Sequence, residues 1–219
     1  MKVLTRIPMI SERVIVEIRG AILEGALLSG SRIYQEKIAS TLGVSREPIR
    51  KALLRLETEG LVKVVNGGAI VAPIDHFMIV EIYEFREFIE GYVAAKVAER
   101  KDFDPTTLQR ILNKGRESVA ARSVDRLIEL DQAFHRELYR ASENRVVMDV
   151  MGKQWSHIYR AMKMDLSMDS FRKQSWNEHA GIVAAILKGQ VSLAKTLASA
   201  HIRAALNRKQ TRVAVNADV

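Results

Sequence analysis

Apolar positions along this chain recur mostly at intervals of three and four, the rhythm of helices with one buried face. Val14, Ile18, Ala21 and Ile22 form the first such stripe, and Ser11 is placed to cap a helix that runs to about Glu24. Residues 1 to 10 carry no clear pattern and are expected to form a mobile arm. Gly25 and Gly30 bracket a loop, after which Ile38, Ala39 and Leu42 predict a short helix over Gln35 to Leu42. Gly43 and Val44 make the turn into a second helix, with Ser45 at its N-cap and Pro48 in its first turn, where a missing N–H costs no helical bond. Its inward face is Ile49, Ala52, Leu53 and Leu56. The helical rhythm then breaks. Leu61 to Val65 and Ala69 to Val71 are β-branched runs around Asn66-Gly67-Gly68, a strong hairpin signal.

Two short helices at helix–turn–helix spacing followed by a hairpin predict a winged helix–turn–helix domain over residues 1–74. Pro73-Ile74-Asp75 punctuates the chain, and the pattern changes there. Beyond it no alternation of strand type occurs. Helices are expected over residues 75–101, 105–121, 124–141, 145–168, 171–188 and 191–209. Asp104-Pro105 supplies one start signal and Gly189 one stop signal. The predicted fold is therefore mainly α, a winged helix–turn–helix followed by an all-α helical bundle over residues 75–210, with residues 211–219 as a disordered tail.

Charge sharpens this picture. The 219 residues carry 34 Lys and Arg against 26 Asp and Glu, a net +8, and the isoelectric point near 9.8 favours a polyanionic partner. There is no apolar run of transmembrane length, no signal-peptide pattern and no basic amphipathic tract, so no membrane partner is expected and the cytoplasm is the natural compartment. The absence of cysteine excludes disulfides, iron–sulfur clusters and thiolate zinc sites, leaving nitrogen and oxygen ligands for any metal.

Arg46 and Arg50 lie four apart on the second helix, beside its apolar stripe. A helix anchored by its back and showing two arginines near its N-terminus suits a DNA groove, since the guanidinium fork takes guanine or phosphate bidentately. Alone, two arginines fit any surface helix equally well; the preceding helix and the following hairpin, whose tip at Asn66-Gly67 can reach a phosphate or the minor groove, favour DNA. The run GSRIYQEKIASTLGVSREPIRKALLRLETEGLV resembles the N-terminal domain of GntR-family transcriptional regulators. That resemblance implies DNA contacts from Ser45, Arg46 and Arg50 on the recognition helix and from Gly67 in the wing. Two departures stand out: Glu36 sits where some members carry a DNA-contacting arginine, and Glu47 replaces the commoner threonine.

In the second domain Asp131 and His135 are four apart and share one helix face, a two-ligand metal spacing. His179 precedes the inward residues Ile182 and Ile186, and His201 lies between Leu197 and Leu206. Satisfied core histidines would explain these positions; so would a metal site built from facing helices of a bundle. His157, between Trp155 and Ile158, reads as a packing or surface residue, and His76 as part of the linker. The stretch EIYEFREFIEGYVAAKVAE, the D-x-x-FH of Asp131 to His135, SEN at 142–144, EH at 178–179 and the late His201 together resemble the FCD effector domain of one GntR subfamily. The resemblance implies that Asp131, His135, His179 and His201 are ligands of a divalent metal ion (zinc, nickel or manganese), octahedral or nearly so, with positions left for water or an acidic effector. It also implies that Arg86 holds the carboxylate of a small organic or sugar acid; an ordinary helical pair with Glu90 is the plainer alternative. Asn144 is explained well enough as a helix N-cap.

The expected protein is a homodimeric, ligand-responsive regulator that reads double-stranded palindromic operator DNA, most often as a repressor, and is not an enzyme. Asp75 to Phe77 would be its hinge. A regulator for which the metal is itself the signal, a metal-dependent hydrolase and a sequence-neutral DNA-packaging protein are the alternatives. A hydrolase lacks a well-placed general base, because Asp131 is already a ligand in that scheme.

Overall fold

A computed structural model describes the backbone of residues 8–165 and 169–217 and the side chains of residues 10–163 and 172–207. Of the arm expected over residues 1–10, residues 1–7 lie outside the described residues and residues 8–10 are helical. The chain divides into two compact units, Met1–Ile74 and Asp75–Val219.

In the first unit α1 spans Pro8–Glu24, β1 Arg32–Ile33, α2 Gln35–Leu42, α3 Arg46–Thr58, β2 Val62–Val65 and β3 Gly68–Val71. The stripes read from the sequence meet here: Val14, Ile18 and Ile22 of α1 pack with Ile49, Ala52, Leu53 and Leu56 of α3 in one core, closed by Ile33, Ala39, Leu61 and Val71. Gly43 ends α2 in the left-handed region at φ +63°, and its N–H bonds back into the last turn, which lets the chain swing directly into α3. β2 and β3 form the predicted antiparallel hairpin, with Gly67 at φ +80° in its turn.

Three local readings change. α1 begins at Pro8, so Ser11 lies inside the helix instead of capping it. Ser45 occupies the N-cap position of α3, with extended backbone, but its hydroxyl makes no capping hydrogen bond. A short strand, β1, pairs with β3 and puts β3 in the middle of a three-stranded sheet ordered β1-β3-β2.

The second unit is all helical among the described residues: α4 His76–Ala98, α5 Thr106–Ala120, α6 Val124–Ala141, α7 Arg145–Asp165, α8 Asp169–Leu187 and α9 Val191–Ala217. The side chain of Asp75 accepts from Met78 N–H and caps α4, and Asn144 accepts from Val146 and Val147 N–H as the N-cap of α7. Asp104 accepts from Thr106 N–H at the start of α5. The last helix continues to Ala217, so the backbone of residues 211–217 is helical where a disordered tail was expected. α4 packs most extensively on α9 and also meets α6, α7 and α8, which makes it the central strut of the bundle. No described helix is long and apolar enough to cross a membrane.

Candidate functional site

The centre of the second unit holds Asp131, His135, His179 and His201, all buried, each offering a ligand atom within 4.8 Å of the others. Asp131 and His135 come from consecutive turns of α6, His179 from α8 and His201 from α9. The apolar faces that drive these helices together aim the four polar groups at one point. His179 is stacked on Phe134, with ring centroids 4.1 Å apart, and meets the edge of Trp176 at 5.0 Å, so its ring has little freedom.

All three imidazoles present Nε2 to Asp131 or to one another. His179 Nε2 is 3.1 Å from His201 Nε2 and 3.4 Å from Asp131 Oδ1, and His135 Nε2 is 3.7 Å from Asp131 Oδ2. Two nitrogens bound to one ion at roughly 2.0–2.1 Å sit roughly 2.9–3.4 Å apart, depending on geometry, so the donor set fits a divalent cation. The polar atoms support the same reading. Asp131 Oδ2 and His135 Nε2 are buried without a hydrogen-bond partner, a costly arrangement in a protein interior unless something else satisfies them.

Carboxylates stand behind two of the rings. Glu178 Oε2 is 2.7 Å from His201 Nδ1, and Glu90 Oε1 is 2.8 Å from His135 Nδ1, though poorly aligned with it. A carboxylate at Nδ1 keeps the proton there and leaves the Nε2 lone pair facing inward. Burial lowers the pKa of His135 despite Glu90, and lowers that of His179 much further, with His201, His135 and Arg86 adding to the effect. These two rings are therefore neutral near pH 7, the form that donates a lone pair.

Arg86, 2 % exposed, lies next to the cluster on α4. Its Nε donates to Glu90 Oε1 at 3.1 Å, its guanidinium lies over Trp155 at 5.2 Å, and its Nη2 has no hydrogen-bond partner and is 4.0 Å from Asp131 Oδ2. Tyr139 O–H donates to the same Glu90 oxygen. Burial pushes the Glu90 carboxyl up, but His135, Arg86 and Tyr139 outweigh it and hold the pKa at about 2. Glu90 and Arg86 thus neutralise each other beside Asp131. Arg86 pairs with Glu90, as the plainer reading has it, and its Nη2, without a hydrogen-bond partner, faces Asp131.

Two concavities flank the centre. One, of about 550 Å³ between α8 and α9, is lined by Lys173, Asn177, Leu197, Glu178 and His201, and reaches the cluster at the His201 edge. The other, of about 220 Å³, is lined by Arg136, Tyr139, Met148 and Trp155. Of the remaining histidines, His157 is buried and His76 opens α4.

In the first unit Ser45, Arg46 and Arg50 are exposed at the start of α3, and Gly67 is exposed at the hairpin tip. Each arginine is held by an acid: Arg46 donates to Glu36 at 2.9 Å and Arg50 to Glu47 at 2.9 Å through two nitrogens. The acids at the two departures from the family pattern are the partners of the arginines expected on DNA. Arg32 of β1 donates to the Gly67 carbonyl and lays its guanidinium over the wing tip. Arg32 carries no sequence signal for this place, since its partner lies 35 residues away; Glu90 reads in the sequence only as a helical neighbour of Arg86, and Glu178 and Trp155 only as neighbours of His179 and His157.

Comparison with known proteins gives one family match in each unit. Residues 10–71 match the model for bacterial regulatory proteins of the gntR family, and residues 81–204 match the FCD domain. A transcriptional regulator of Streptomyces ambofaciens, described as lying in an unstable DNA locus, is 29% identical over 195 residues, covering 86% of this chain and 80% of its own. The gluconate operon transcriptional repressor of Bacillus licheniformis is 28% identical over 175 residues, 78% of this chain and 70% of its own. Among solved structures, a GntR regulator from Rhodococcus sp. RHA1 has a TM-score of 0.80 at 22% identity over 92% of this chain and 97% of its own. E. coli McbR/YncC has a TM-score of 0.79 at 18% identity over 93% and 98%. These structures share the fold.

Proposed function

This chain belongs to the gntR family of bacterial regulatory proteins and is a DNA-binding transcriptional regulator with an FCD domain, not an enzyme, and on that premise we propose that it is a cytoplasmic, homodimeric repressor governed by a small acid bound beside a divalent metal ion. The convergence of three Nε2 atoms on Asp131 carries the metal reading. Asp131, His135, His179 and His201 would hold the ion; zinc, nickel and manganese all suit this nitrogen and oxygen set. When bound, the ion would supply positive charge and open coordination positions for a carboxylate.

The chain's own residues do the rest. Glu178 and Glu90 orient the His201 and His135 rings, Phe134 and Trp176 exclude water around His179, and Arg86 offers its unpartnered Nη2 to an acid arriving at the centre. The gluconate operon repressors among the relatives favour a sugar acid and a repressing role. Ser45, Arg46, Arg50 and Gly67 would contact the operator, whose palindromy would match the two-fold symmetry of a dimer. An acid can change operator affinity only by binding one placement of the paired DNA-binding units more tightly than another.

The test is a thermal-shift screen of organic and sugar acids on metal-loaded and chelator-stripped protein. An acid at a hundred times its dissociation constant stabilises by about 2.7 kcal/mol. A hit that disappears on stripping supports the reading. One that survives stripping moves the pocket towards Arg86 and makes the metal structural. A shift from metal alone, with operator affinity following metal concentration and no acid effective, would favour a metal-sensing regulator.

A further inference from the structure

The outer face of the three-stranded sheet carries a cation that the recognition helix does not supply. Ile33 is buried in the core and pairs with Ala69, so its neighbour Arg32, paired with Ile70, stands on the opposite face. Gly30 N–H donates to the Val71 carbonyl and Val71 N–H to the Ser31 carbonyl, both at 2.9 Å, which pins β1 at this register. From there the Arg32 side chain runs along the sheet past Gly68, and its Nη2 donates to the Gly67 carbonyl in the turn. The two glycines make room for it. A Cβ on Gly67 would stand 2.9 Å from Arg32 Nη2, and one on Gly68 3.6 Å from the same atom. The wing tip is a thin edge with a guanidinium laid on it.

Electrostatics set Arg32 apart from its neighbours. Arg19, Arg46, Arg50 and Arg55 of the same unit each meet a carboxylate. Arg32 is exposed and meets none among the described residues; its contact is a neutral carbonyl, so its charge is left whole. Lys63 of β2 pairs with Ile70 from the other side and is also exposed, which sets the two cations two strand spacings apart, roughly 10 Å. A freely moving lysine is enough for a phosphate. A guanidinium held in one orientation at a tip without side chains is pre-organised for a place where plane and width matter. The minor groove of B-DNA is such a place. It is about 6 Å wide, and over A·T-rich runs it is narrower and more negative, which draws arginine in.

We infer that Arg32, carried by β1 and seated on Gly67 and Gly68, is the side chain this wing inserts into the minor groove. It makes the protein prefer operators whose pairs beside the α3 contacts are A·T-rich, and Lys63 takes an adjoining phosphate. This rests on the operator reading above, with α3 in the major groove, and adds to it a residue and a base preference.

The test is selection from a random-sequence duplex pool by the full chain and by its Arg32→Ala variant, followed by fluorescence anisotropy on the enriched duplexes. Wild type should enrich a common central sequence flanked by A·T pairs, and Arg32→Ala the same centre with flanks of no preference. On the wild-type duplex Arg32→Ala should bind roughly tenfold more weakly, the size of a good arginine contact with a base. Changing the flanks to G·C should cost wild type roughly five- to tenfold and Arg32→Ala almost nothing. Replacing those guanines by inosine, which lacks the amino group that G·C adds to the minor groove, should restore wild-type affinity. Arg32→Lys keeps the charge, so its salt slope should match wild type. Its flank preference should still weaken, because an ammonium is more strongly hydrated and has no fork. Lys63→Ala should bind every duplex roughly threefold more weakly and lower the salt slope by about 0.9. Both side chains are exposed, so the melting of each variant should match wild type. Equal losses for Arg32→Ala on A·T and G·C flanks would make Arg32 a phosphate contact and overturn the proposal, as would no loss at all. A wild type that enriched no sequence would instead overturn the operator reading itself.

Discussion

Glu178 Oε2 lies 2.7 Å from His201 Nδ1, on the side of the ring away from His179. The carboxylate comes from α8 and the imidazole from α9, so the bond also fixes the two helices at the point where they close the centre. Glu178→Ala should leave the fold intact and lower metal affinity about 10–100-fold, because the ring loses both its orientation and its tautomer. Chelator competition measures this directly. An unchanged affinity would reduce Glu178 to a helix-pairing role.

The metal-free protein should lose stability in two steps on acidification. Burial depresses the pKa of His135 and, much more, of His179. A folded-state pKa below the unfolded value means that the unfolded chain binds more protons between the two. Stability is therefore complete above about 6.5 and falls as pH drops through that value towards the folded-state pKa values. Glu90 adds a second loss from its ordinary 4.5 down to about 2. Melting in the presence of chelator should show a falling transition between pH 7 and pH 5, and His179→Gln should flatten that slope. A melting temperature indifferent to pH across this window would contradict the buried neutral rings.

Gly115 of α5 faces the Trp176 ring so closely that a Cβ at that position would run into it. Trp176 in turn borders His179. Gly115→Ala should destabilise the protein by about 1–3 kcal/mol through overpacking and should also weaken metal binding, since the displaced indole loosens the ring behind it. Denaturant unfolding and metal titration on the same variant separate the two effects. A stability loss with unaltered metal affinity would show that Trp176 moves without disturbing His179.

What was legible in the sequence follows the range of the forces involved. Helix faces and the Asn66-Gly67-Gly68 hairpin are local, so the apolar stripes of α1 and α3 and the wing could be read residue by residue. The pairing of Asp131 with His135 is also local, one helical turn; His179 and His201 join them only through tertiary packing, so their inward positions on apolar helix faces mark them as candidates and the family resemblance implies the set. β1 was missed because two residues cannot show an alternation, and its existence depends on β3, more than thirty residues away. The start of α1 at Pro8 has no cap signal ahead of it. Glu90 was visible only as the helical neighbour of Arg86. That it also gathers His135 and Tyr139 depends on α6 crossing α4, which no local pattern announces.

Glu47 holds Arg50 through both of the arginine's forward nitrogens, and it stands where the family more often has threonine. Both residues are exposed, so the pair is weak and exchanges readily for a phosphate or a guanine edge. Arg50→Ala should weaken operator binding roughly five- to a hundredfold and relax base preference if it reads a guanine; a uniform loss on all sequences would assign it to a phosphate. Glu47→Thr should act in the opposite sense. It frees the guanidinium and removes a negative charge from the N-terminal end of α3, so affinity should rise by a similar factor on operator and random DNA, leaving the ratio between them unchanged. Both effects shrink as counterions screen the interface, and log affinity should decline steeply with log salt for every variant. Fluorescence anisotropy on operator and scrambled duplexes over a salt series resolves these terms. A gain for Glu47→Thr on the operator alone would mean that Glu47 is read against a base and sets specificity itself.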